Sequence, residues 1–277
     1  MNRVVTKTRA HNFAAARSLL VNLTLRENRS KYKRSALGWA WSMINPLATM
    51  LVFTFVFRIV FRIAPPIGDP SGLENFGFFL ICGLLPWNFL SAGLTGATGS
   101  VVANAGLIKK VYFTRAVLPA SSVLSWNTNL LIELGVLSLA LLFVGQIVFL
   151  YLPAALLVIV LQMFFVLGIG LALGALNVYF RDIEHFLTIL LLLWFYATPI
   201  IYPIDLVLNN DQITGPLRTV YLMNPMVHFT EAYRAIFYHV RSPAADTLLY
   251  MFLSAAVAMS FGLWLFRKLE SKFAEEL

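Results

Sequence analysis

Charge is what this sequence has least of. Asp, Glu, Lys and Arg make up 12% of its 277 residues, against about 25% in an ordinary soluble domain. With 59% of the residues apolar, too little polar surface remains to cover a water-soluble ball. That leaves a polytopic membrane protein. Cysteine is nearly absent as well: Cys82 is alone, so no intramolecular disulfide can form, and its apolar neighbours mark it as a small buried hydrophobe. The same composition excludes a disordered, collagen-like or disulfide-scaffold chain.

Catalytic motifs are missing too. No G-x-x-x-x-G-K-[ST] loop is present, so the chain cannot cradle ATP phosphates in the Walker manner. There is no H-E-x-x-H, and His11, His185, His228 and His239 are scattered. Gly168-Ile169-Gly170 with Gly174 superficially resembles a dinucleotide fingerprint, but its last glycine falls one residue late and inside an apolar run. Gly170 and Gly174 fit the small-xxx-small spacing that lets helices approach closely. No catalytic, cofactor-binding or metal-binding residue is assigned.

What is present are long stretches between charges. A span needs about 20 apolar residues to cross roughly 30 Å of hydrocarbon. Six such stretches fit the chain: residues 35–57, Phe76–Val102, Val117–Val144, Pro153–Tyr179, Phe186–Ile204 and Thr247–Phe266. Gly145-Gln146 and Tyr151-Leu152-Pro153 supply the turn between the third and fourth. The expected fold is all-α, with six transmembrane helices.

Lys and Arg set the orientation, because basic connections stay cytoplasmic. Sixteen lie in the first 35 residues, the second-to-third connection, Arg181 and the C-terminal tail; five lie in the other connections. Both termini are therefore expected in the cytoplasm. The net charge of +8 is then a topological signal and requires no nucleic acid. The basic run Arg29, Lys31, Lys33 and Arg34 could bind polyanions in isolation, yet beside a span it meets anionic lipid headgroups. Residues 1–35 contain no apolar h-region, so no signal peptide is expected. Phe13, Ala16, Leu20 and Leu23 recur at helical spacing, the pattern of an amphipathic helix lying in the interface.

Three further features bear on function. Glu133 is the only charge between Ala116 and Phe180; a carboxyl at that depth is either a proton-relay or substrate contact, or a structural group within the bundle. Phe53, Phe57 and Phe61 form one stripe along the first span, and Trp194, Tyr196 and Tyr202 cluster in the fifth. These aromatics are either outer-interface anchors or a lining on which sugar rings stack. Between residues 204 and 245, an apolar run over Pro216–Tyr238 is broken at Asn224-Pro225. That pattern fits two short helices dipping into the outer leaflet.

Four stretches occur together in one order. They are Tyr32–Trp41 through Asn45-Pro46-Leu47; Asn104–Pro119; Asn177–Ile183 leading to Thr198–Pro203; and Leu222-Met223-Asn224-Pro225 with Phe229 and Arg234. In this the chain resembles the permease subunit of ATP-binding-cassette exporters of polysaccharides, of the O-antigen, teichoic-acid, capsule or galactan type. Thr114 stands where that family commonly has proline.

The resemblance implies a cytoplasmic N-terminal segment (1–35) with an interface helix, and a six-helix permease domain (36–277) with a re-entrant outer hairpin. It implies a homodimer in the bacterial inner membrane with two separate ATPase subunits, which bind ATP and Mg; this chain would hold no cofactor. Residues 104–115 would be the coupling loop, presenting Lys109, Lys110, Tyr112, Phe113 and Arg115, with Arg181 and Asp182 as the second contact. The substrate would be a lipid-linked polysaccharide. A drug or haem exporter of the same superfamily would share the topology, whereas a secondary transporter would need more midplane charge than Glu133.

Overall fold

The computed structural model describes the backbone of residues 2–31, 33, 38, 40–62, 65–111 and 113–277, and within these the side chains from Arg17 onward except residue 42. Among the described residues the regular structure is helical throughout. Five helices are long and apolar enough to cross a membrane. The first is α2 (Ala40–Thr54) extended by a π-helical turn over Phe55–Val60. The others are α3 (Phe76–Ala103), α5 (Val117–Phe143), α6 (Leu152–Tyr179) and α11 (Ala245–Leu269). Before them lies α1 (Asn2–Lys31), and between them α4 (Ala105–Ile108), α7 (Ile183–Tyr196), α8 (Asp205–Leu208), α9 (Pro216–Leu222) and α10 (Pro225–Phe237); α12 (Phe273–Glu276) closes the chain.

The expected fifth span, Phe186–Ile204, differs. Its helix is the 14-residue α7, about 21 Å long at 1.5 Å per residue, which is short of a full crossing. Pro199 disfavours the α conformation at Thr198, whose hydroxyl donates back to the Trp194 carbonyl at 2.8 Å. The chain therefore leaves the helix at Ala197 and runs irregularly to Pro203.

Local chemistry sets the other boundaries. Asn75 caps α3, its Oδ1 accepting from the Gly77 and Phe78 amides at 2.8 and 3.3 Å. Pro153 opens α6 in its first turn, where a missing N–H costs nothing. Gly145 adopts φ +85° in the turn before it, as expected for that turn.

Packing makes α3 the central helix: 78% of its apolar stretch is buried, against 6% for the span-one helix. Leu80, Leu85, Leu90 and Leu94 of α3 form the middle of the core with Val158 and Val166 of α6, and Cys82 is buried beside them. Gly170 and Gly174 do serve close packing, since a Cβ on Gly170 would lie 2.7 Å from that of Ala97, and one on Gly174 2.9 Å from the Ala97 carbonyl. Gly168 faces α11, where its backbone meets that of Ala258 and of Gly262. Glycine is required at that crossing because any side chain would enter the other backbone.

The connections sort into two ends. At one, the Arg115 guanidinium donates to the Glu270 carbonyl and the Tyr179 hydroxyl to the Leu269 carbonyl at 2.9 Å. Arg26 of α1 joins this end, donating to Asn104 Oδ1 at 2.9 Å. At the other, Gln146 Nε2 donates to the Ser71 carbonyl at 3.0 Å, and the Tyr238 hydroxyl lies 2.5 Å from the Pro66 carbonyl oxygen. The segments rich in Lys and Arg thus share one end.

Candidate functional site

A cavity of about 670 Å3 opens where the last turn of α1 meets α2, α3 and α5. Its position follows from two contacts that draw α1 along α5. The Ser125 hydroxyl donates to Asn28 Oδ1 at 2.6 Å, and Lys31 Nζ lies 3.5 Å from the centre of the Trp126 ring. Burial pushes the Lys31 ammonium down to about 7, with Glu27 and Glu133 pulling the other way. Glu133 is buried and lines the same cavity. The sequence assigned Lys31 to a headgroup cluster and Glu133 to the middle of a span; the fold brings them to one chamber.

The rest of that cluster points elsewhere. Arg29 and Lys33 are exposed, and Arg34 lies outside the described residues. Trp41, Asn88 and Trp126 complete the chamber and were missed. A hint was available in polar side chains set into otherwise apolar stretches, but nothing in their spacing joins residues so far apart in the chain.

The aromatic stripe of α2 is continuous. Phe53 and Phe57 lie 6.0 Å apart between ring centres, Phe57 and Phe61 5.7 Å. Its inner part turns toward the protein: Phe57 stacks on Phe76 of α3 at 5.8 Å, while Phe61 is exposed. In α7, Trp194 is half-buried, packing edge-on against Trp87 at 6.2 Å and Phe165 at 6.4 Å. Tyr196 is exposed, and the Tyr202 hydroxyl donates to the Tyr196 carbonyl at 3.1 Å.

In the basic end, Lys109, Lys110, Arg181 and Asp182 are all exposed. Phe113 packs with the small core cluster around Phe266 and Phe273. Arg115 differs from its neighbours: bonded to the Glu270 carbonyl, with its guanidinium 5.9 Å from the Phe273 ring, it holds the C-terminal tail. Tyr112 lies outside the described residues.

The region between residues 204 and 245 divides at Asn224 as its pattern foretold. In α10, Phe229, Tyr233, Ile236 and Phe237 are buried in the core, and Tyr233 donates to Gln162 Oε1 at 2.9 Å. Arg234 is buried as well: Nη1 donates to Glu231 at 2.8 Å, Nη2 to the Ile200 carbonyl at 2.7 Å, and the guanidinium covers the Phe79 ring at 3.7 Å. Leu217 and Val220 of α9 remain exposed, an apolar face turned outward.

Residues 18–238 match the ABC-2 type transporter family. The chain belongs to this family. The transporter is 32% identical over 261 residues to the O-antigen export system permease protein RfbA of Myxococcus xanthus, covering 94% of this chain and 96% of that one. It is 31% identical over 273 residues to the protein of the same name from Klebsiella pneumoniae, covering 96% and 98%. To the polysialic acid transport protein KpsM of Escherichia coli it is 25% identical over 253 residues, covering 90% and 92%.

Proposed function

We propose that this transporter is the permease subunit of an exporter that moves a lipid-linked polysaccharide from the cytoplasmic face across the bacterial inner membrane. The near full-length likeness to export permeases carries the reading. In it, α7 with the 197–204 run counts as the fifth of six spans, α1 lies in the cytoplasmic interface, and both termini are cytoplasmic. The α9–α10 pair is the re-entrant outer hairpin, with the exposed Leu217 and Val220 facing lipid.

Two copies of the chain pair and recruit two ATPase subunits, which bind ATP and Mg. Lys109 and Lys110 with Arg181 and Asp182 form the docking face, because they stand exposed at one end with no ion-pair partner among the described residues. The exposed face of α2 supplies the dimer contact, and Phe61 and Tyr196 face the glycan path.

Deleting the gene while leaving the ATPase subunit intact is expected to remove the surface glycan and trap its lipid-linked form inside. Surface glycan at the wild-type level would overturn the reading.

A further inference from the structure

The chamber beneath α1 lies inside one protomer, apart from the aromatic stripes already described. Its volume, about 670 Å3, falls in the roughly 300–1,000 Å3 range of small-molecule sites. Its chemistry is unusual for a space within apolar helices. Among the described residues of the lining, one cation, Lys31, and one carboxyl, Glu133, are set among neutral hydrogen-bonding side chains: Asn45 and Thr49 from α2, Asn88 and Thr95 from α3. Two indoles, Trp41 and Trp126, complete the wall.

We propose that this chamber is a saccharide-binding site that takes one or two sugar units of the transported glycan. The proposal rests on the glycan-export reading and adds to it a holding site within each subunit. A pyranose has hydroxyls around its edge and C–H faces above and below, so it needs amides and hydroxyls beside a flat apolar ring. Trp41 offers that ring, with 45% of its surface uncovered. Asn45 and Asn88 each present both a donor and an acceptor, which matches vicinal hydroxyls.

Lys31 contributes a polar end. Its Nζ is buried, has no hydrogen-bond partner among the described residues, and rests on the Trp126 face. A buried ammonium without acceptors is costly, and sugar oxygens entering the chamber supply them. A lipid diphosphate is the poorer occupant: it calls for several cations or a bidentate arginine, and Lys31 is the only basic residue among the described residues of the lining.

The test uses the complete permease–ATPase complex in nanodiscs and saturation-transfer NMR, with N-acetylglucosamine and mannobiose as probes and farnesyl diphosphate as competitor. Transfer to at least one sugar is expected, unaffected by the diphosphate and weakened about five-fold or more in Asn88→Leu, the scale of one lost hydrogen bond. Asn45→Leu, at an exposed position, gives the same readout without burden on the core. Transfer that is absent, unchanged in both variants, or abolished by farnesyl diphosphate would overturn the proposal. Surface glycan restored by the wild-type gene in the deletion strain is scored separately. Restoration without sugar binding rejects the chamber alone, and no restoration rejects the export reading.

Discussion

Trp194 donates its indole N–H to Asn224 Oδ1 at 2.7 Å, tying the end of α7 to the break between α9 and α10. Asn224 is saturated by its surroundings. The same Oδ1 accepts from the Met226 amide at 3.0 Å, capping α10, and its Nδ2 lies 3.1 Å from both the Ala197 carbonyl and the Thr198 hydroxyl. One side chain thus joins the end of α7, the turn after it and the start of α10.

Asn224→Ala is therefore expected to destabilise the protein by about 2 kcal/mol or more, combining a lost cap with buried groups left unpaired. Trp194→Phe keeps a ring against Trp87 and Phe165 and loses one hydrogen bond, about 1 kcal/mol. Thermal unfolding in nanodiscs checks the order. Equal midpoints for wild type and Asn224→Ala would sink the argument.

At the crossing of α6 and α11 there is no side chain to remove, only space to lose. The Gly262 Cα faces the Gly168 carbonyl in direct backbone contact. Gly262→Val must push the helices apart and is expected to cost about 3 kcal/mol, the upper part of the overpacking range. Gly106→Ala is the control, because no atom of the described residues lies within 4 Å of the Cβ it would add. The comparison reads as the fraction of folded protein recovered after a fixed heat step.

Much of the fold was legible in the spacing of charges, because a long uncharged run has few fates other than a span. The break at Asn224-Pro225 was legible for the same reason that proline opens α10: it fixes a first-turn φ and gives up a donor that has no partner there. Other features depend on partners distant in sequence. Gly168 looked like part of a failed nucleotide motif until α11 came against it. Lys31 sat in a run of cations, and only the packing of α1 on α5 turns it inward while Arg29 stays out. Arg115 likewise looked no different from Lys109 and Lys110 until the C-terminal tail folded over it. The helix of the fifth stretch ends sooner than its apolar length suggests, because hydropathy registers the apolar residues beyond Tyr196 but not the conformational effect of Pro199.

Arg234 is 1% exposed and is held by a carboxylate, a carbonyl and a ring at once. Lysine can replace the charge but not the planar fork or its stacking on Phe79. Arg234→Lys is expected to lower stability by about 2 kcal/mol, and Arg234→Ala by about 3 kcal/mol or more. Denaturation monitored by Trp fluorescence checks both. A lysine variant as stable as wild type would mean that the fork geometry is irrelevant.

Lys109 and Lys110 make the opposite case, being exposed and without an ion-pair partner among the described residues. Reversing both to Glu is expected to change stability by less than about 0.5 kcal/mol, as for other surface sites. The same change should cut recovery of the ATPase subunit in co-purification, with a stronger effect at low salt. Undiminished recovery at low salt would remove these lysines from the docking face.

Lys31 makes stability depend on pH, and the sign can be worked out. Free lysine titrates near 10.4; in the folded protein burial brings it to about 7, against the opposing pull of Glu27 and Glu133. Between those values the unfolded chain holds a proton that the folded chain has released, so raising the pH favours folding. The Lys31 contribution to the thermal midpoint should climb from about pH 7 to about pH 10.4 and stay level below that window. Lys31→Met keeps the apolar stem against Trp126 and cannot titrate, so it should remove most of the climb. Matching the variant to wild type at one pH would not test this, because the mutation also removes a contact between cation and ring; the slope does. Parallel slopes in the two proteins would show that Lys31 keeps its proton in the fold, and that the α1–α5 contact leaves its ammonium in water.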